Sequence, residues 1–159
     1  MEERENEGMI EAGAQQFIHE HLMTSALPSK EDFARMAALG FHTVIDLGTS
    51  RDSVSLPDED TLVAAQGMNY LHLPVDFSAP TFEDYELLRD LLNALYPRKV
   101  WLHCAQNKRV SALMFLYNII DRSMPISEAR ARLHLVWQPD ETWQAFLDEA
   151  LEKYVYQYI

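Results

Sequence analysis

Residues 100–117, VWLHCAQNKRVSALMFLY, carry the only cysteine of the chain. The apolar run VWLH ends at His103 and Cys104 and a short polar loop follows. Beyond it, Leu113, Leu116, Tyr117 and Ile120 recur along one side of a helix. A strand that passes through a loop into a helix puts that loop at the carboxyl edge of a sheet, where open α/β folds bind their ligands. The free N–H groups and positive dipole end of such a helix favour an anion in the loop. The same field favours the thiolate form of Cys104. Arg109 adds a planar fork that matches two phosphate oxygens. A nucleophile and an anion cradle in one loop point to covalent attack on a phosphoryl group.

Working outward, FHTVIDLG (41–48) reads as a buried strand, and NYLHLPVDFSAP (69–80) begins as a strand and turns between Pro74 and Pro80. FIHEHLMTSALP (17–28) has room for one or two short edge strands. Ser29 caps a helix over KEDFARMAALG that Gly40 closes, and Thr81 caps FEDYELLRDLLNALY. A short helix runs up to Gly67, and two more cover SEARARLHLVW and DETWQAFLDEALEKYVYQ. Strands alternating with helices predict an α/β fold, a parallel-type central sheet flanked by helices.

With 159 residues, 48% of them hydrophobic, the chain can bury one core of its own. Residues 1–16 read as an acidic, solvated arm and residues 17–159 as a single domain. A net charge of −12 argues against nucleic acid and against an anionic membrane surface, both of which need a basic footprint. No apolar run approaches the roughly 20 residues of a membrane span. The opening residues lack the basic and apolar regions of a signal peptide, so a cytoplasmic location is expected. One cysteine excludes an internal disulfide and a Cys-rich zinc site. The HEH at 19–21 lacks metal-helix spacing, so neither a metal nor another cofactor is expected.

HCAQNKRVS (103–111) resembles the signature loop of the cysteine-dependent protein tyrosine and dual-specificity phosphatases: His-Cys, five residues, Arg, then Ser or Thr. LPSKEDFARMAALGFHTVIDL (27–47) and LPVDFSAPTFED (73–84) are similar to the stretches that precede the loop in small, atypical bacterial members. The resemblance implies a phosphatase of that fold acting on a phosphorylated protein or a small phosphate monoester. Cys104 would attack phosphorus, and the amides of Ala105, Gln106, Asn107, Lys108 and Arg109 would hold its equatorial oxygens. Arg109 would bind the transferred group, His103 would order the loop, and Ser111 would hydrogen-bond the sulfur. The family's general acid comes from a loop in the position of Asp76, just past the NYLH strand. Asp46, Glu83 and Asp84 read instead as turn or helix caps.

One departure matters. Only four residues separate Cys104 from Arg109. Either the loop is one residue shorter and Arg109 is the ligand, or the length is kept and Val110 stands where arginine belongs. The first reading is favoured because Asn107 tolerates the left-handed backbone that glycine usually supplies. The second would leave a phosphate- or phosphoprotein-binding module without turnover. A rhodanese-like sulfurtransferase, with a persulfide on Cys104, is a third possibility.

Overall fold

The strand that ends at the cysteine is the middle of the sheet. The computed structural model describes residues 9–158, and within them β5 (Lys99–His103) pairs in parallel with β2 (Leu22–Ser25) on one side and β3 (Phe41–Asp46) on the other. β4 (Asn69–His72) runs parallel along the far side of β3, and β1 (Gln16–His19) is antiparallel to β2, giving the order β1-β2-β5-β3-β4. The register sets Ser25, His103, Asp46 and His72 side by side. The segments that follow these strands therefore emerge together at one edge. β2 lies inside the sheet, so only β1 of that region is an edge strand. Four residues read as an edge, yet Thr24 and Ser25 are buried between β1 and β5.

The helices are α1 (Lys30–Ala38), α2 (Glu59–Ala65), α3 (Phe82–Leu95), α4 (Lys108–Ile120), α5 (Ile126–His134) and α6 (Glu141–Tyr154), followed by a short 3-10 turn at Tyr156–Tyr158. Successive strand side chains point to opposite faces. Val44 and Trp101 accordingly pack with Phe33, Met36 and Val63 of α1 and α2. Ile45, Val100 and Leu102 pack with residues of α3 to α6, Leu88, Leu113 and Leu147 among them. Ser29 and Asp32 form a reciprocal capping box at α1, as do Thr81 and Asp84 at α3. Each such cap is worth about 1 kcal/mol, which accounts for both aspartates.

α4 differs from its sequence pattern. It is buried at every position from Arg109 to Ile119, not along one side, because α5 and α6 close over the face turned away from the sheet. A helix that is apolar all round belongs in a core. Its N-terminus is thus fixed at the sheet edge by packing on all sides.

The chain before β1 is also held down among the described residues. Glu11 N–H donates to Asp32 at 2.6 Å, Ala26 N–H donates to the Gly13 carbonyl at 2.9 Å, and Ala12 is buried. Residues 1–8 of the expected acidic arm lie outside the described residues. No described helix is long and apolar enough to cross a membrane.

Candidate active site

The loop between β5 and α4 turns at Asn107, whose φ of 62° and ψ of 9° are left-handed. That conformation costs an ordinary L-residue about 1–2 kcal/mol, and asparagine is among the few that visit it routinely. Its side chain points back into the fold, where Nδ2 donates to the Ala14 carbonyl at 2.6 Å. Asn107 therefore faces the loop interior with its backbone only. Its carbonyl accepts from Ser111 N–H at 2.9 Å and starts α4.

With the turn made there, Arg109 falls in the first turn of α4 and Cys104 at the end of β5, and both line one cavity of about 590 Å³. Val110 is fully buried in the core. The Arg109 guanidinium is fixed from two directions: Nη1 donates to the Val75 carbonyl at 3.1 Å and Nη2 to Asp52 Oδ2 at 2.8 Å. Burial works against its charge, but the Asp52 hydrogen bond and the neighbouring Cys104 outweigh it and raise its pKa. Burial likewise opposes the charge of Asp52, and the hydrogen bonds from Arg109 and Thr49 win, holding its carboxyl below the ordinary value.

Asp76 reaches the same cavity from the segment after β4, beside Phe77 and Ser78. Its Oδ1 accepts from Ser78 N–H at 2.9 Å and from Ser78 Oγ at 2.8 Å, and Oδ2 lies 3.8 Å from Arg51. The two bonds from Ser78, helped by Arg51 and Arg109, hold its carboxyl below the usual range. Asp76 is thus both a turn residue and a cavity residue. Arg51, Lys108 and Arg109 face the cavity against Asp52 and Asp76, three of the chain's 13 Lys and Arg residues. An anion meets a locally positive cleft in a chain that is strongly acidic overall.

Of the other expected residues, Gln106 and Lys108 line this cavity and Ala105, Ser111 and His103 do not. Ala105 lines a second cavity of about 470 Å³ that shares Thr49, Ser50 and Asp52 with the first. Lys108 Nζ also lies 5.5 Å from the Trp137 ring centre. Ser111 gives its hydroxyl proton to the Lys108 carbonyl at 3.0 Å. A hydroxyl has one proton, so Ser111 does not donate to the sulfur in this arrangement. His103 is fully buried against Glu59 and Asp46. The histidines of HEH pack edge-on against Tyr96 and each other.

Sequence reasoning passed over Asp52 and Glu59. Both lie between the strand at 41–46 and the body of the short helix that runs up to Gly67, where no candidate residue was singled out. The rule that drew attention to Asp76, a carboxylate just beyond a parallel strand, applies equally to Asp52.

Residues 6–149 match the family model described as DSP-PTPase phosphatase fused to NAD+ kinase. The chain belongs to this family. Within the DSP-PTPase fold, the DUF442 protein of Shewanella putrefaciens CN-32 superposes with a TM-score of 0.82 at 29% identity, over 94% of this chain and 98% of that one. P. aeruginosa TpbA, solved in complex with pTyr, shares the fold with a TM-score of 0.63 at 20% identity, over 75% of this chain and 70% of its own. The beta-lactamase hydrolase-like proteins of two Xylella fastidiosa strains are 28% identical over 120 residues, 74% of this chain. The match spans only 28% of the length of those curated relatives.

Proposed function

We propose that this DSP-PTPase domain hydrolyses phosphate monoesters through a cysteinyl-phosphate intermediate. The observation that carries the reading is that Cys104 and Arg109, from one loop, line the same cavity as Asp76, from another. The Cys104 thiolate attacks phosphorus in line; an S–P bond forms, the P–O bond to the leaving group breaks, and Asp76 gives that oxygen its proton. Asp76, now a carboxylate, then takes a proton from water as the water oxygen attacks phosphorus and releases the sulfur. Arg109 and the loop amides hold the equatorial oxygens and gain strength as charge spreads over them.

In the free protein Asp76 is held as a carboxylate by Ser78. A phosphoryl group in the cavity brings negative charge beside it, which raises its affinity for the proton it must deliver. The reaction drawn this way uses side chains and loop amides of this chain together with one water. The substrate is a phosphorylated protein or a small phosphate monoester, encountered in the cytoplasm. The pTyr complex of TpbA supports phosphotyrosine as one form of it.

The test is hydrolysis of para-nitrophenyl phosphate from pH 5 to 8 by the native chain and by Cys104→Ser. Turnover without added metal that Cys104→Ser abolishes is the expected result. Tungstate binding without turnover would leave a phosphate-binding module instead. A persulfide on Cys104 after incubation with thiosulfate would favour sulfur transfer.

A further inference from the structure

Asp76, the proposed acid, stands on a turn whose internal hydrogen bonds travel with it. Ser78 N–H and Oγ donate to its Oδ1, and Ala79 N–H donates to its carbonyl at 3.1 Å. These bonds set the shape of the turn but not its place at the cavity. Its place is set on either side of Asp76. Before it, Val75 N–H donates to the Leu47 carbonyl at 3.0 Å, and the Val75 carbonyl accepts from Arg109. After it, the Phe77 carbonyl accepts from Trp143 Nε1 at 2.7 Å. The Asp76 side chain is 48% exposed, so packing does little to hold it.

Trp143 is itself firmly held. Asp140 caps α6 by accepting from Trp143 N–H at 2.8 Å, which fixes the backbone there, and the side chain is fully buried. Its ring packs edge-on against Phe146 and Trp137, with centres 5.6 Å and 6.3 Å away, and tilted against Phe77 at 6.1 Å. An indole has one donor and no acceptor, and a buried one ordinarily finds a partner. Trp137 packs against the same Phe77 ring at 5.8 Å, yet its buried Nε1 has no hydrogen-bond partner among the described residues. Two tryptophans thus cover Phe77, and one of them bonds its backbone. Neither lines the substrate cavity.

We infer that Trp143 is a positioning residue for the general acid: its indole N–H holds the Phe77 carbonyl, and with it the turn that presents Asp76 to the leaving-group oxygen. The inference rests on the phosphatase reading and adds to it a residue 66 positions away in sequence, on another helix. A misplacement of about 1 Å is enough to cost an acid much of its effect. The loss falls where the proton is needed. Phenyl phosphate expels a phenolate with a tyrosine-like pKa of about 10 and depends on the acid, whereas 2,4-dinitrophenolate is a weak base and departs without one.

The test compares kcat/KM for these two esters in the native chain, Trp143→Phe and Trp137→Phe. Trp143→Phe is expected to lose about tenfold on phenyl phosphate and less than ~twofold on the dinitrophenyl ester, because an acid worth about 10²–10⁴ is loosened rather than removed. Trp137→Phe removes an N–H that bonds nothing and is expected to leave the ratio of the two esters unchanged. In an Asp76→Asn background the selective loss from Trp143→Phe is expected to vanish, since no acid is left to position. No loss, equal losses on both esters, the same shift from Trp137→Phe, or a selective loss that persists without Asp76 would each overturn the inference and leave the phosphatase reading standing. A native chain that hydrolyses neither ester would overturn both. Should Trp143→Phe fail to fold, the benzothienyl analogue of tryptophan at position 143, with sulfur in place of N–H, keeps the shape and carries the same test.

Discussion

Replacing Asp52 with asparagine isolates what the carboxylate does for Arg109, the arginine proposed to hold phosphate. The side chain keeps its shape and an oxygen that can accept from Arg109 Nη2, now at 2.8 Å, so what is removed is the charge. The Arg109 side chain is 5% exposed and that of Asp52 13%, so water screens little of the loss. A hydrogen bond between ionised partners contributes about 1.5–3 kcal/mol and a neutral one about 0.5–1.5. Leaving a guanidinium under-compensated in a buried site adds to the difference. The Val75 carbonyl remains and limits it. The expected cost is about 2 kcal/mol, or a fall in Tm of roughly 4–8 °C for a domain of this size.

An oxyanion in the cavity reverses part of this. Tungstate supplies the negative charge Arg109 has lost and no longer meets a carboxylate beside it. The stability gap between variant and native chain should narrow by about 1.4 kcal/mol at saturation. By the thermodynamic cycle, that is about tenfold tighter tungstate binding by Asp52→Asn. Urea unfolding with and without tungstate measures both quantities. A cost under ~0.5 kcal/mol, or a gap that tungstate leaves unchanged, would refute the view that Asp52 is the counter-ion of Arg109 in the empty site. The sign with pH follows from the depressed Asp52 carboxyl: its contribution is present above the ordinary value of 3.8 and is lost as pH falls through the lower folded value.

Four further outcomes are expected. Asn107→Ala combines left-handed strain with an unpaired Ala14 carbonyl and should cost roughly 2–3 kcal/mol in urea unfolding, whereas Asn107→Gly, free of the strain, should cost about 1; equal losses would remove strain from the account. A Cβ on Gly48 would stand 2.9 Å from Asp46 Oδ1 and 3.0 Å from Asp52 Oδ2. Gly48→Ala should therefore cost about 1–3 kcal/mol and be non-additive with Asp52→Asn in a double-mutant cycle. His103 has a raised folded pKa, so its contribution to stability is complete below the ordinary 6.5 and is lost as pH rises through the folded value; urea midpoints should fall above pH 6.5 in the native chain, and that slope should be absent in Glu59→Gln. Ser78→Ala removes the 2.8 Å bond that helps depress Asp76, so the alkaline limb of para-nitrophenyl phosphate hydrolysis should move to higher pH; an unmoved limb would argue against Asp76 as the acid.

Local chemistry made much of this protein legible in its sequence. The caps at Ser29 and Thr81, the strand at 41–46 and the β5–loop–α4 passage each depend on neighbours a few residues apart, and each is found where the pattern puts it. The left-handed turn at Asn107 belongs with them, since asparagine's tolerance of that backbone is a property of the residue. Parallel pairing then brings the ends of β3, β4 and β5 to one edge, so a carboxylate after one strand and a thiol after another become neighbours. What the sequence could not settle is which charge holds which. Asp52 reaches Arg109 across 57 positions and Glu59 reaches His103 across 44, and no short-range pattern marks either pair. Nor does spacing tell that α4 is enclosed on all sides, because α5 and α6 supply its outer cover only once the chain has folded back. Hydrogen bonding and backbone preference act within a turn or two and are written in the sequence. The partners of buried charges are decided by which surfaces meet, and only the tertiary structure brings them together.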